Sequence, residues 1–468
     1  MKTLFMHLPM PLQVTFSGFI AFNLTFAENK KGFQMSHNTI LNSMKGIIIL
    51  CFLSLSVFFT QSAQAQFVKG ADIGWLEQME ATGYKFYDSA GVQKNCLQIL
   101  KDKGINTVRL RVWVNPSSDK TSGHCSKNEV VTMAIRAKDM GMRVMIDFHY
   151  SDSWADPGKQ TKPAAWANHS FSELLTDVYN HTFEVLDTLK KSGVTPAWAQ
   201  IGNEITWGML WPDGKTDNWL QLGQLLNKGY DATKAVDSSI KVIVHVDQGN
   251  NNSRFRTFFD NAKARGVRYD IIGLSYYPYW LGSDYTATIN DLGNNLNDMV
   301  SRYAKEVMVV EVGGDYLKVQ NTYDMLLAVI EKVRAVPDNK GLGVIYWEPE
   351  GEKSWSGYQL SCWSANGKPT AALDAFLSHG TGLNMINYPS GFNFFPNPCY
   401  GGLLNFEFKT STGLHDVKIY DITGRLMKQQ KMADSSETAM NLDLLPGIYL
   451  VNVNSGKYSV VQKLVVRQ

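Results

Sequence analysis

The segment Ala197-Trp-Ala-Gln-Ile-Gly-Asn-Glu204 is an apolar run that closes on a carboxylate. A second segment, Val307-Met-Val-Val-Glu311, has the same form. Short apolar runs of this kind predict buried β-strands, and a charge buried at the end of a strand is costly unless it has a partner. We therefore expect Glu204 and Glu311 to belong to one functional site, provided that the fold brings the two strand ends together.

Six further apolar runs accompany these two, and stretches with apolar residues at helical spacing lie between them. The predicted strands are Val68–Ile73, Asn106–Val112, Arg143–His149, Ala197–Asn203, Lys241–Val246, Asp270–Ser275, Val307–Glu311 and Leu342–Trp347. The predicted helices are Val92–Lys103, Glu129–Met140, Phe171–Lys191, Trp219–Val236, Ile289–Tyr303 and Tyr323–Val336. Strands that alternate with helices favour a parallel sheet. Eight such units favour a closed (β/α)8 TIM barrel over a doubly wound open sheet.

The character of the sequence changes after Leu377. Residues 380–393 are rich in Gly, Asn and Pro and predict a linker, and short β runs follow over residues 394–468. The strands predicted there are Leu403–Lys409, Val417–Asp421, Gly447–Val453 and Tyr458–Val466. We therefore predict a chain of the α/β class, with a barrel over residues 66–379 followed by a small all-β sandwich domain.

The N-terminal region predicts export. Residues 44–65 have the form of a signal peptide, with Met44-Lys45 as a positive start, an apolar run from Gly46 to Phe59, and Ala63-Gln-Ala65 as a cleavage site. The apolar run is short for a membrane span. Residues 1–43 are predicted to be an upstream extension absent from the mature protein, and the mature protein is expected to be secreted or held at the cell surface.

Composition limits the partners and the role of the cysteines. A formal net charge of +2 gives no reason to expect nucleic acid as a partner. Four cysteines follow the signal peptide, and an exported protein can pair them as disulfides. Cys96 and Cys125 form the candidate bridge, with Cys362 and Cys399 left over. None of these cysteines has metal-site spacing, so no metal-ligating residues are assigned.

In a (β/α)8 barrel the active site lies at the C-terminal ends of the strands. The side chains expected at that rim include Asp72, Arg109, Arg111, Asp147, His149, Asn203, Glu204, Trp207, His245, Asp247, Ser275, Tyr276, Tyr277, Glu311, Trp347 and Glu348. The period-two alternation of a strand places Arg109 with Arg111 on one face. Structural ion pairs that close the end of the barrel are the alternative interpretation for Arg109 and Asp147.

Two carboxyl groups with different tasks can hydrolyse a glycosidic bond. One gives a proton to the leaving oxygen, and the other attacks the anomeric carbon. A retaining enzyme places them about 5–5.5 Å apart, and an inverting enzyme about 6.5–9.5 Å apart. Proximity raises the pKa of one of the two. We expect Arg111 to keep the nucleophile ionised and Asn203 to donate to a sugar hydroxyl.

Several segments resemble a known family. They are Lys69-Gly-Ala-Asp-Ile-Gly-Trp75, Val108-Arg-Leu-Arg-Val-Trp-Val114, Asp147-Phe-His-Tyr-Ser-Asp-Ser-Trp-Ala-Asp-Pro-Gly-Lys-Gln160, Lys162-Pro-Ala-Ala-Trp166, Gln200-Ile-Gly-Asn-Glu-Ile-Thr206, Ser275-Tyr-Tyr-Pro278 and Val310-Glu311. With these segments the region from Phe67 to Leu377 resembles glycoside hydrolase family 53, the arabinogalactan endo-β-1,4-galactanases. The long segment after Asp147 is the most specific of them.

The resemblance implies a retaining enzyme that cuts within β-1,4-galactan, the side chain of pectic arabinogalactan, with Glu204 as general acid/base and Glu311 as nucleophile. The residues that it implies at the reacting subsite are Arg111, Asp147, His149, Asn203, Tyr276 and Trp347. Trp207 and His245, which stand at the same rim, are further predicted substrate-binding residues. The alternatives are another retaining barrel β-1,4-glycanase, of the mannanase or cellulase type, and a catalytically inactive glycan-binding barrel.

The resemblance implies no required cofactor and a monomer, and it allows a structural calcium ion in the loops after strands 7 and 8. Oxygen ligands are offered there by Asp315, Glu348, Glu350 and Glu352, without a loop of fixed ligand spacing. The stretch Val312-Gly-Gly-Asp315 departs from a longer aromatic turn found in several family members.

The C-terminal domain has a resemblance of its own. Its segments Asn393-Phe-Phe-Pro-Asn-Pro398, Leu445-Pro-Gly-Ile-Tyr449 and Lys463-Leu-Val-Val466 are similar to those of a C-terminal sorting domain of the type IX secretion system. That implies the type IX secretion machinery as a partner, passage through an outer membrane and removal of the domain. The alternative is a carbohydrate-binding sandwich, which the lack of any Trp after Trp363 disfavours.

Overall fold

A computed structural model of the 468-residue chain describes residues 66–117, 124–377, 392–395, 397, 399, 402–408, 414–433, 438–454 and 459–467. The predicted upstream extension 1–43, the predicted signal peptide 44–65 and most of the predicted linker 380–393 lie outside these residues. Within them, no helix has both the length and the apolar character needed to span a membrane.

Eight parallel strands close into a barrel in which each strand pairs with its neighbours in sequence and the last pairs with the first. They are β1 (Val68–Asp72), β2 (Thr107–Val112), β3 (Arg143–Phe148), β4 (Trp198–Ile201), β5 (Lys241–Val246), β6 (Ile271–Tyr276), β7 (Glu306–Val312) and β8 (Gly341–Trp347). The predicted (β/α)8 fold is therefore confirmed.

Helices surround the barrel. They are α1 (Leu76–Ala81), α2 (Cys96–Asp102), α3 (Lys127–Asp139), α4 (Phe171–Lys191), α5 (Trp219–Val236), α6 (Asn252–Ala264), α7 (Ile289–Tyr303), α8 (Val319–Arg334) and α9 (Lys353–Ser356). Capping boxes begin α3 at Ser126 and α4 at Ser170. Three helices were not predicted: α1 and α9 are short, and α6 has buried residues that do follow helical spacing, namely Phe255, Phe258, Phe259 and Ala262.

The barrel interior is divided between an apolar end and a polar end. An apolar cluster of inward-facing side chains lies apart from the main core and consists of Val68, Met145, Trp198, Ile243, Ile271, Met308, Val310 and Ile345. Most of these residues come from the first half of their strands. Further along β3, β4 and β5 the inward positions carry Asp147, Gln200 and His245, all fully buried. Polar chemistry is therefore concentrated at the C-terminal end of the barrel.

The C-terminal region forms two antiparallel sheets with strands β9 (Phe392–Phe395), β10 (Gly402–Phe408), β11 (Leu414–Asp421), β12 (Leu426–Ala433), β13 (Thr438–Leu442), β14 (Gly447–Asn454) and β15 (Ser459–Val466). The orders are β9-β10-β13 and β12-β11-β14-β15. Leu404 and Met440 of the first sheet share a core with Val417 and Val451 of the second, which confirms the all-β sandwich. Strands β9, β12 and β13 were not predicted. Strand β12 lacks an apolar run, because its Lys428-Gln-Gln-Lys431 stretch is polar and mostly exposed.

The expected Cys96–Cys125 disulfide is wrong. Among the described residues, Cys96, Cys125 and Cys362 are free and buried. Cys96 packs in the main apolar core, and Cys125 Sγ points at the Gly74 carbonyl oxygen, 3.6 Å away. Burial raises the pKa of the Cys125 and Cys362 thiols to about 12, so both stay protonated near neutral pH.

Candidate active site

Glu204 stands just past β4 at the open end of the barrel. Its φ of 45° is in the left-handed region, which is strained for a residue with a side chain and is common at active sites. Ser275 Oγ donates to Glu204 Oε1 at 2.5 Å, and the Glu204 main-chain N–H donates to His245 Nδ1 at 3.3 Å. Burial, together with the nearby charge of Glu311, raises the pKa of Glu204 well above its usual range. Glu204 is therefore the carboxyl group that holds a proton.

Glu311 lies on β7 at an irregularity in the pairing with β6. Leu274 pairs with Val309, but the next residue, Ser275, pairs with Glu311, so Val310 is the extra residue of a bulge. Val310 faces the apolar interior cluster, and simple alternation would turn Glu311 away from it. The bulge instead turns Glu311 into the barrel, as bulges beside active sites commonly do.

Glu311 has the partners of an ionised carboxylate. Arg109 Nη2 lies 2.9 Å from Glu311 Oε1, and the Tyr277 hydroxyl donates to Oε2 at 3.0 Å. Burial raises the pKa of Glu311 above its usual value, and Asp147 adds to this effect, but Arg109 and Tyr277 limit the rise. Among the described residues, no cation forms an ion pair with Glu204, so the two carboxyl groups titrate with the proton on Glu204 and the charge on Glu311.

Arg109 connects the buried charges of the site. Its guanidinium is fully buried, 2.6 Å from Asp72 Oδ2 and 2.8 Å from Asp147 Oδ2, and it donates to Asn203 Oδ1 at 2.8 Å. The sequence analysis expected Arg111 to keep the nucleophile ionised. That expectation is wrong, because Arg111 pairs with Glu348 and lies 4.3 Å from the centre of the Trp154 ring.

Asp147, His149 and Asn203 are brought together as predicted, with their polar atoms held by the protein. The Ala155 main-chain N–H donates to His149 Nδ1 at 3.1 Å, so the proton of the neutral ring is on Nε2, 2.9 Å from Asp147 Oδ2. Asn203 Nδ2 donates to the Ala155 carbonyl at 2.9 Å. Burial raises the pKa of Asp147, but Arg109 and His149 outweigh burial and hold it below its usual value.

Tyr276 does not reach the site. Its side chain points out of the barrel, where its hydroxyl lies 2.9 Å from Thr288 Oγ1 and donates to the Tyr285 carbonyl. The physical reason is strand alternation, because Ser275 faces inward and its neighbour must face outward. Tyr277, just past the end of β6, contacts the nucleophile instead. His245 is fully buried with both ring nitrogens engaged by protein atoms, so it has no nitrogen free for a sugar.

Aromatic side chains surround the open end. Trp347 packs against Trp75 at 5.1 Å and Tyr358 at 4.7 Å between ring centres, and Trp154 lies 5.8 Å away. Trp207, on the loop after β4, is half exposed and lies over Arg254. These rings offer flat apolar faces of the kind on which sugars stack.

The residues that offer oxygen atoms for a possible calcium ion do not converge. Among residues 66–117, 124–377 and the described C-terminal strands, no group of three or more His, Cys, Asp or Glu could hold a metal ion. Asp315 accepts from Leu317 N and Gln359 Nε2, and Glu352 accepts from Ser354 N. Burial, followed by the neighbouring Glu348, raises the pKa of Glu350 well above its usual value. These residues do not fit a calcium ion.

Two residues that contact the carboxyl groups, Ser275 and Tyr277, had no predicted role. The role of keeping the nucleophile ionised was predicted for Arg111 and belongs to Arg109. Ser275 and Tyr277 were predicted only to lie at the rim of the barrel. For Arg109, a structural ion pair was the alternative to a place in the active site. Alternation along β6 was the available signal for Ser275. No local pattern could have revealed the bulge in β7, because a bulge depends on the register with a neighbouring strand.

At the open end of the barrel, one carboxyl group has a pKa well above its usual range and the other is ion-paired with an arginine, which is the pairing of acid and nucleophile that glycoside hydrolases use. Comparison with known proteins agrees: the profile of glycosyl hydrolase family 53 matches residues 68–439. The chain belongs to glycosyl hydrolase family 53.

Individual relatives support the same placement. An endo-β-1,4-galactanase of Bacillus subtilis is 35% identical over 308 residues, which cover 60% of this chain and 70% of the relative. An arabinogalactan endo-β-1,4-galactanase of Humicola insolens is 34% identical over 304 residues, covering 60% and 89%. The solved family 53 catalytic domain of Ignisphaera aggregans is 32% identical with a TM-score of 0.62, covering 68% of this chain and 97% of that one.

Proposed function

We propose that this chain is a retaining endo-β-1,4-galactanase that cleaves galactan and the galactan side chains of pectic arabinogalactan. The observation that carries the proposal is the division of labour between the two carboxyl groups. Glu204 is hydrogen-bonded to a hydroxyl and has its pKa raised, and Glu311 is ion-paired with Arg109. Relatives named as galactanases support the choice of bond.

The first chemical step forms a covalent intermediate. The Glu311 carboxylate attacks the anomeric carbon, and the bond to the leaving oxygen breaks. Glu204 gives its proton to that oxygen, so the leaving chain departs as a neutral alcohol. Arg109 and Tyr277 hold the nucleophile ionised and in position, and their contacts weaken as its charge passes into the new ester.

The second step releases the galactosyl unit. Glu204, now a carboxylate, takes a proton from water while the water oxygen attacks the anomeric carbon. The bond to Glu311 breaks, which restores both groups. Two displacements at the same carbon retain the β configuration.

Exposed aromatic side chains on the rim support an internal cut in a long chain. Trp207 is 52% exposed, and on the loop after β6 Trp280 is 62% exposed and Tyr279 is 40% exposed. These rings offer stacking faces to sugars bound on either side of the cleavage point.

A substrate comparison tests the assignment. The protein is incubated with linear β-1,4-galactan, β-mannan and carboxymethyl-cellulose, and the product sizes are followed over time. Early release of mixed short galacto-oligomers from galactan alone is expected. Cleavage of mannan or of carboxymethyl-cellulose without galactan would move the assignment to another barrel glycanase, and release of galactose alone would remove the endo mode.

We further propose that the chain is exported with residues 44–65 as signal peptide, and that residues 394–468 form a type IX secretion sorting domain. The signal-like sequence and the segments similar to sorting domains support this proposal. Expression in a host with type IX secretion tests it. The full chain should reach the medium or the cell surface, and a chain that ends at residue 379 should stay in the periplasm. Equal export of both would contradict the sorting role.

A further inference from the structure

Ser275 connects the acid to a buried histidine. Its Oγ lies 2.5 Å from Glu204 Oε1 and 2.7 Å from His245 Nε2, so three consecutive barrel strands contribute to one hydrogen-bonded row. Ser275 and His245 are both buried away from solvent. The two-carboxylate scheme needs neither side chain, so the row requires its own explanation.

The donor and acceptor of each hydrogen bond in this row follow from the main-chain N–H of Glu204. The Glu204 main-chain N–H and Gln200 Nε2 both donate to His245 Nδ1, so that nitrogen is an acceptor. Asn203 Oδ1 also lies 3.1 Å from it, but that oxygen accepts from Arg109. Burial, with Arg109 adding to it, lowers the pKa of His245 well below its usual value, so the ring is neutral and carries its proton on Nε2. That N–H donates to Ser275 Oγ. The serine hydrogen is then available for only one bond, to Glu204 Oε1.

We propose that Ser275, oriented by His245, is a positioning residue that confines the acid proton to Oε2 of Glu204 and stabilises the Glu204 carboxylate for the second step. This inference deepens the proposed function and depends on it. An oxygen that already accepts the serine hydrogen is a poor site for the acid proton, so Oε2 carries it and is free to face the leaving oxygen. A hydroxyl donor also favours the ionised form of a carboxyl group.

The need for such a donor follows from the surroundings of Glu204. Burial, Glu311 and Asp247 all disfavour its carboxylate, and Arg109 favours it. Arg109 is committed to Glu311, Asp72 and Asp147. Without Ser275 the acid would keep its proton too firmly to act as a base in the second step.

The pH dependence of kcat/KM tests the inference, because its basic limb reports the acid group of the free enzyme. Ser275→Val removes the hydroxyl, and Ser275→Thr restores it in the same shape. We expect the basic limb of Ser275→Val to move upward by about 1 pH unit relative to Ser275→Thr. The kcat with an aryl galactoside of low leaving-group pKa should fall about tenfold, because the second step then limits the rate.

The control is Ser361→Ala. Ser361 is also buried, but unlike Ser275 its hydroxyl has no hydrogen-bond partner among the described residues. Its pH profile should match that of the unmodified protein. Ser275→Ala provides a smaller replacement if the two branched variants fail to fold. If the basic limb of the kcat/KM profile of Ser275→Val stays in place or moves to lower pH, the inference is overturned, even when galactan is still cleaved. Absence of activity in the unmodified protein would instead overturn the proposed function.

Discussion

Replacing Arg109 by Met removes the one cation that the nucleophile and two other buried carboxylates share. Arg109 is fully buried, and its partners Asp72, Asp147 and Glu311 are buried too. Removing one member of a buried ion pair typically costs about 3–5 kcal/mol because the remaining charge is left uncompensated. We expect Arg109→Met to lower the free energy of unfolding by at least that much, against a total of about 5–15 kcal/mol.

The magnitude is measured by urea unfolding, with Arg268→Met as the matched control. Arg268 pairs with Asp231 at 2.7 Å, but both side chains are nearly half exposed, so the loss should stay below about 1 kcal/mol. The loss should also depend on pH. In the native protein Arg109 and His149 hold the pKa of Asp147 below its usual value, so this group contributes stability above about pH 4 that disappears as the pH falls.

In Arg109→Met the direction of the Asp147 pKa shift reverses. Burial then raises the pKa of Asp147 in the folded state above its unfolded value, so the cost is largest at neutral pH and shrinks as the pH falls through the raised pKa. We expect the difference from the unmodified protein to be smaller at pH 5 than at pH 7.5. Equal losses for Arg109→Met and Arg268→Met, or a loss that grows towards acid pH, would refute this reasoning.

Three further predictions concern the pair of tyrosines, the acid and the cysteines. Tyr277→Phe removes the hydroxyl that donates to Glu311 and should lower kcat/KM at least tenfold, whereas Tyr276→Phe, whose hydroxyl faces away, should leave it unchanged; equal effects would return the role to Tyr276. Glu204→Gln should lose activity on galactan but still form the covalent intermediate from an aryl galactoside with a good leaving group, as mass spectrometry of the intact protein would show; an intermediate that never accumulates would contradict its role as acid/base. The protein without residues 1–65, unfolded without reductant and alkylated, should carry the label on both Cys96 and Cys125 in peptide mapping, and a linked Cys96–Cys125 peptide would restore the disulfide.

Much of the barrel was predictable because its signals are local. Each strand is an apolar run, and helices such as α4 and α5 show their apolar face at helical spacing within bounds that the structure reproduces. Closure of the barrel followed from the count of units. Strand β12 escaped because a polar edge strand is stabilised by its pairing with β11 and not by its own apolar side chains.

The site was predictable in position and less so in detail. Strand order put Glu204 and Glu311 at one rim, but alternation alone would have turned Glu311 outward. Arg109 and Arg111 both face inward, and the sequence did not show which of them pairs with Glu311. The pairing is set by the stagger of the strands in the barrel, which is not a local property of the sequence. Likewise, Tyr277 replaces Tyr276 because the chain leaves the strand between them, which changes the direction of the next side chain.

The stereochemistry of the first product tests the central claim most directly. Galactan is cleaved in D2O with enough enzyme to finish within a few minutes, and the anomeric protons of the new reducing ends are followed by NMR. We expect the β-anomer to appear first and the α-anomer to grow later by mutarotation. The reason is that Glu311 and Glu204, at the separation of about 5–5.5 Å typical of a retaining enzyme, carry out two successive displacements at the same carbon. The α-anomer appearing first would contradict the account, since it would require a single displacement and a wider separation of the two carboxyl groups.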